Sequence, residues 1–145
     1  MSRSPEASAG EVRPSAARVL VIEDHPLMQE AVRETVQSAP GLVLLALVPS
    51  AEEALALPEL ADVDLALVDV SLPGMNGIQL VRELQDKRPR IRCLMLSGHI
   101  QEAYVKGALA AGARGYMQKG RSDELLQAIA SVLAGEVYLG TSLRR

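Results

Sequence analysis

Five residues combine reactive types with a suggestive spacing. Glu23-Asp24, Asp69, Ser97 and Lys119 each follow a short, mostly apolar run: RVLVI, DLALV, IRCLML and RGYMQ. If those runs are strands entering one sheet in parallel, the five side chains converge at its carboxyl edge. Three carboxylates in one place repel each other and call for a cation. An all-oxygen donor set of this size suits Mg²⁺, or Mn²⁺, with water in the remaining octahedral positions. A carboxylate beside such an ion can attack a phosphoryl group and become an aspartyl phosphate. The lysine and the metal would neutralise charge on the equatorial oxygens, and the Ser97 hydroxyl would donate to them.

The elements that must position these groups can be read from local patterning. Arg18–Ile22, Leu42–Val48, Asp64–Asp69, Ile91–Leu96 and Arg114–Gln118 are predicted strands. Between them the helical signals alternate. Pro26 opens a helix with Leu27, Met28, Ala31, Val32 and Val36 on its apolar side, closed by Pro40-Gly41. Ser50 and Glu53 form a capping-box pattern before a short helix that ends ahead of Pro58. Further helices are expected around Gly77–Arg88, Ile100–Ala111 and Ser122–Ala134. The last has Ser122 as its cap and Leu125, Leu126, Ile129, Val132 and Leu133 inward. Five β–α units with fully apolar strands imply a doubly wound α/β fold: a five-stranded parallel sheet with helices on both faces. Such folds carry their sites outside the carboxyl ends of the strands.

Composition narrows the class. The 145 residues are 48% hydrophobic but include no Phe, no Trp and three Tyr, so the core is aliphatic. Cys93 is the single cysteine, which excludes a disulfide scaffold and is expected to be a small buried hydrophobe. No apolar run reaches the ~20 residues of a membrane span, and no secretory signal follows Met1, so a cytoplasmic location is expected. The net charge is −3, but five arginines and two glutamates lie in residues 1–18 and 144–145. Residues 19–143 keep 10 basic against 16 acidic side chains. That surface repels phosphate backbones and argues against direct nucleic-acid binding. Residues 1–17 are expected to be a disordered N-terminal extension, 18–135 the folded domain, and 136–145 the remnant of a linker.

The acidic pair Glu23-Asp24, Asp69 with Pro73-Gly74-Met75-Asn76-Gly77 behind it, Ser97-Gly98, and Gly115-Tyr116-Met117-Gln118-Lys119 together resemble the CheY-like receiver domain of two-component response regulators. Asp24-His25-Pro26-Leu27 and Gly135-Glu136-Val137-Tyr138-Leu139 resemble its NarL/FixJ (LuxR-type) branch, here without the helix-turn-helix output domain that usually follows. The resemblance implies a flavodoxin-like sheet with strand order 2-1-3-4-5. It implies Asp69 as phosphoacceptor, Asp24, Asp69 and the Ser71 backbone carbonyl as Mg²⁺ ligands, and Glu23 acting largely through water. It also implies Lys119 and Ser97 as phosphoryl contacts, and Tyr116 as a switch that swings inward behind the serine. A sensor histidine kinase is the implied donor, a homodimer formed on phosphorylation a further partner, and control of transcription the output. Gly120 stands where many receivers have proline, and Ser97 where threonine is commoner.

Other readings stay open on the sequence. They are a natural single-domain regulator acting through protein contacts, an unphosphorylated interaction module, and a Mg²⁺-dependent phosphohydrolase. The last is weakened by Ser71, which stands where such enzymes carry an acid. His25 and His99 lack the Cys/His company of a zinc site and are read as ordinary polar residues. His99 and Ser71, near the mouth of the site, are expected only to modulate the lifetime of an aspartyl phosphate. Met75, Met95 and Met117 are read as packing residues.

Overall fold

The computed structural model describes residues 16–143. Of the extension expected at 1–17, residues 1–15 lie outside the described residues, and Ala17 already belongs to the first strand. The order is β1 (Ala17–Ile22), α1 (Pro26–Gln37), β2 (Leu42–Val48), α2 (Ala51–Leu55), a 3-10 turn (Pro58–Asp62), β3 (Leu65–Asp69), α3 (Gly77–Lys87), β4 (Arg92–Ser97), α4 (Glu102–Ala111), β5 (Gly115–Gln118), α5 (Ser122–Leu133) and β6 (Tyr138–Leu139). All strand pairs are parallel, in the order β2-β1-β3-β4-β5-β6. The expected 2-1-3-4-5 sheet is present, and the count of five is corrected to six.

The sixth strand is two residues long and follows from specific bonds. Tyr138 N–H donates to Arg114 O at 3.0 Å, and Gly140 N–H to Tyr116 O at 2.9 Å. The buried Glu124 carboxylate of α5 accepts from the Tyr138 hydroxyl at 2.5 Å and from Thr141 N–H at 2.7 Å. Gly115 on β5 makes room for this edge, because a Cβ there would sit 2.7 Å from Leu94 Cδ1 and 3.3 Å from Tyr138 O.

Period-two alternation divides the core. Leu20, Ile22, Ala66, Val68, Cys93, Met95 and Tyr116 face one way, toward α2, α3 and α4. Val19, Val21, Leu65, Leu67, Leu94, Leu96 and Met117 face α1 and α5. Leu125, Ile129 and Val132 are the buried stripe of α5, each contributing roughly 1.5–3 kcal/mol by burial. Two expected core residues are corrected. Leu27 is 87% exposed and Leu126 38% exposed. Each is offset by one residue, or about 100°, from the stripes Met28-Val32-Val36 and Leu125-Ile129-Val132, which turns it toward water.

Helix starts decide how loops leave the strands. Ser50 Oγ accepts the Glu53 N–H at 3.1 Å, as its spacing predicts. Asn76 and Gln79 make a reciprocal capping box at 2.9 and 3.0 Å, fixing the start of α3 behind the Asp69 loop. Ser122 is the first residue of α5 and not its cap; Arg121 holds that position without a side-chain bond. Helix α4 starts at Glu102, two residues later than expected, so Gly98–Gln101 form a longer loop after β4. Gly77 lets α3 press on the end of β3: a Cβ there would lie 2.1 Å from Asp69 O.

Candidate phosphoryl-acceptor and metal site

The acids and the lysine meet where the sequence requires. Asp69 ends β3 and Glu23 follows β1; both are 1% exposed. Lys119, just past β5, is held by its backbone N–H donating to Ser97 O at 2.9 Å. Its ammonium lies 3.0 Å from Asp69 Oδ2 and 3.2 Å from Glu23 Oε1. The other Asp69 oxygen, Oδ1, accepts Ser71 N–H at 3.0 Å. Asp24 is half-buried beside them.

Charge and burial oppose each other here. Burial pushes the Asp69 carboxyl above its usual range, prevailing over the Ser71 N–H and the Lys119 cation; Glu23 adds to the rise. Glu23 suffers the same burial, yet bonds from the His25 backbone and side chain, with the Lys119 charge, hold it below its usual value. Burial disfavours the Lys119 ammonium, but Asp69 and Glu23 outweigh it and raise its affinity for a proton.

One cation shared between two buried carboxylates leaves acceptor capacity over. Glu23 Oε1 and Asp24 Oδ1 are buried without a hydrogen-bond partner among the described residues. Lys119 supplies charge to Glu23 Oε1 but no aligned bond to that oxygen. Ligand atoms of Glu23, Asp24 and Asp69 lie within 4.8 Å of one another, and oxygen donors gathered this closely are what a small hard cation satisfies, so the donor set fits Mg²⁺ or Mn²⁺.

Three further residues are tied into the site. His99 N–H donates to Ser97 Oγ at 2.8 Å. The Tyr116 hydroxyl donates to His99 O at 2.6 Å. His99 Nε2 lies 3.1 Å from Ser71 Oγ, and its ring stacks on Tyr104 with centroids 4.5 Å apart. Tyr116 is fully buried, with its hydroxyl on the loop after β4. Burial raises its phenol above the usual value, with Tyr104 and Asp69 adding and a bond to Ser97 opposing. Among the described residues no peptide bond is cis, and Gly120 takes φ +84° after Lys119.

His25 stands close to the acids. Its Nδ1 lies 2.8 Å from Glu23 Oε2, 3.3 Å from Asp24 Oδ1 and 3.8 Å from Asp69 Oδ2. Its companions are carboxylates, not the Cys and His of a zinc site. The usable signal was its adjacency to the acid pair and to Pro26. Proline disfavours helical backbone in the residue before it, and His25 is extended at φ −91°, ψ 121°.

Known proteins share both sequence and fold with this chain. The chain is 34% identical over 128 residues to the nitrate/nitrite response regulator protein NarL of Escherichia coli K12, covering 88% of this chain and 59% of NarL. It is 32% identical over 130 residues to the transcriptional regulatory protein DegU of Brevibacillus brevis, covering 89% of this chain and 55% of DegU. The chain thus spans little more than half the length of these relatives. A crystal structure of a LuxR-family two-component response regulator from Aurantimonas superposes with a TM-score of 0.83 at 32% identity, covering 89% of this chain and 93% of that one. No described helix is long and apolar enough to cross a membrane. Residues 19–130 match the response regulator receiver domain, and the chain belongs to that family of phosphorylation-dependent signalling domains.

Proposed function

We propose that Asp69 accepts a phosphoryl group from a phosphohistidine of a sensor kinase, and that the resulting dianion resets the loop after β4 to control a transcriptional output. The observation that carries this reading is the placement of Asp69, buried at a strand end, 3.0 Å from Lys119 and beside the Glu23 and Asp24 oxygens that accept no hydrogen bond among the described residues. In the transfer, an Asp69 carboxylate oxygen bonds to phosphorus as the donor's P–N bond breaks. The departing imidazole nitrogen then takes a proton from solvent. Glu23, Asp24, Asp69 and the Ser71 carbonyl would hold Mg²⁺, which when bound neutralises charge on the transferring oxygens. Lys119 then pairs with a phosphoryl oxygen in place of the bare carboxylate.

Ser97 supports the switching part. To donate to a phosphoryl oxygen it must reorient a hydroxyl that now accepts the His99 N–H, at a cost of about 1 kcal/mol. Moving a population from 1:99 to 99:1 takes about 5.5 kcal/mol. Two or three charge-assisted bonds, at roughly 1.5–3 kcal/mol each, exceed the lost one and supply most of that. The loop moves because Ser97 and Tyr116 both hold the backbone of His99. Acetyl phosphate with Mg²⁺ should add one phosphoryl mass to the protein and none to Asp69→Asn, read by intact mass spectrometry. Addition to both proteins, or to neither, refutes the assignment.

A further inference from the structure

His25 stands among the acids without a part in the transfer described above, and its placement is specific. Glu23, Asp24, His25 and Asp69 each offer one ligand atom, and the four atoms lie within 4.8 Å of one another. In an octahedral shell with ligands at ~2.1 Å, neighbouring donors sit ~3 Å apart and opposite ones ~4.2 Å. The separations from His25 Nδ1 to Asp24 Oδ1 and Asp69 Oδ2, 3.3 and 3.8 Å, fall inside that interval, and the 2.8 Å to Glu23 Oε2 is a hydrogen bond just below it. The position is enforced by the backbone: Pro26 favours the extended conformation, and the His25 N–H is pinned to Glu23 Oε2 at 3.0 Å. Asp24 Oδ1 and Glu23 Oε1, which accept no hydrogen bond among the described residues although His25 Nδ1 and the Lys119 ammonium stand 3.3 and 3.2 Å away, mark the volume that the imidazole borders. The side chain is 58% exposed and its Nδ1 bonds Glu23 Oε2 at 2.8 Å, so a cation taking Nδ1 would displace that proton and leave Nε2–H facing water.

We propose that His25 Nδ1 is a nitrogen ligand to the divalent cation, and that it biases the site toward first-row transition ions such as Mn²⁺ and Co²⁺ over Mg²⁺. This rests on the metal-binding part of the proposed function. Imidazole strengthens binding of the transition ions, whereas Mg²⁺ prefers oxygen and gains little from nitrogen. His25 thereby acts as a selectivity residue and carries no step of the transfer.

The test uses the full chain with the metals alone. Pulsed EPR of the Mn²⁺-loaded protein should show ¹⁴N coupling from one imidazole, lost in His25→Ala and kept in His99→Ala. Calorimetry should show Co²⁺ affinity falling about tenfold or more in His25→Ala while Mg²⁺ affinity changes less than about twofold. Bound Mn²⁺ without nitrogen coupling overturns the proposal. An equal fall for Co²⁺ and Mg²⁺ also overturns it, because His25 would then only orient Glu23. Binding of neither ion by the parent protein overturns this inference and the metal assignment beneath it.

Discussion

Replacing Lys119 by methionine keeps most of the side-chain volume and removes the cation that Asp69 and Glu23 share. At 3.0 Å, each unit-charge pair attracts by roughly 5 kcal/mol at an effective dielectric constant near 20. Desolvation offsets much of that, and breaking a buried pair from one side typically costs about 3–5 kcal/mol. The Lys119 side chain retains 17% exposure, which places the expected loss near the lower end, about 3 kcal/mol at neutral pH. For a domain of this size that lowers Tm by roughly 10 °C. The loss depends on pH in a defined sense. Asp69 is already raised, so its favourable contribution is complete below the ordinary carboxylate value and disappears as pH climbs through its folded value. Removing Lys119 lifts that folded value further. Glu23 is lowered, so its contribution exists above the ordinary value and vanishes as pH falls through the folded one. Removing Lys119 erodes that contribution too. Both effects open the deficit at neutral pH and close it on acidification. Urea unfolding followed by circular dichroism at pH 4 and pH 7.5 measures this directly. Equal destabilisation at both pH values would show that Lys119 acts by packing and refute the electrostatic account.

Other substitutions probe separate parts of the molecule. His99→Ala removes the ring that pairs with Ser71 Oγ at 3.1 Å, so water should reach the aspartyl phosphate more easily and its decay should speed up a few-fold; an unchanged decay rate refutes this role. Gly77→Ala places a methyl 2.1 Å from Asp69 O, forcing backbone movement at a cost of about 3 kcal/mol and impairing phosphorylation; native stability would contradict the packing described. Glu124→Ala strips the acceptor from Tyr138 and Thr141, costing about 1–3 kcal/mol and loosening β6. Amide exchange at Gly140 should accelerate, while exchange at Leu67 in β3 should change only with global stability.

The parallel sheet was legible because β3 and β4 are continuous apolar runs, a pattern that only two-sided burial explains. The reactive set was legible because Asp69 and Lys119 mark strand ends, where doubly wound folds open. The two-residue β6 was not legible. Its pairing depends on Glu124 gripping Tyr138 and Thr141 from a helix, a contact without local periodicity. Leu27 and Leu126 misled because hydrophobicity alone does not fix a stripe's edge to better than one residue. The direction of His25 is not legible, because sequence places it next to Asp24 while the pre-proline backbone and the N–H bond to Glu23 Oε2 orient it. Tyr116 packs in the core and sends its hydroxyl to the His99 carbonyl, a partner that residue type does not announce.

The hydroxyl of Tyr116 reaching His99 O has a practical corollary. With no tryptophan in the chain, ultraviolet emission comes from three phenols alone. One of them is anchored to the very segment expected to shift when Asp69 is modified. The proposed movement of that segment should therefore register in phenol emission, with no dye attached, and unchanged emission on phosphorylation would count against it.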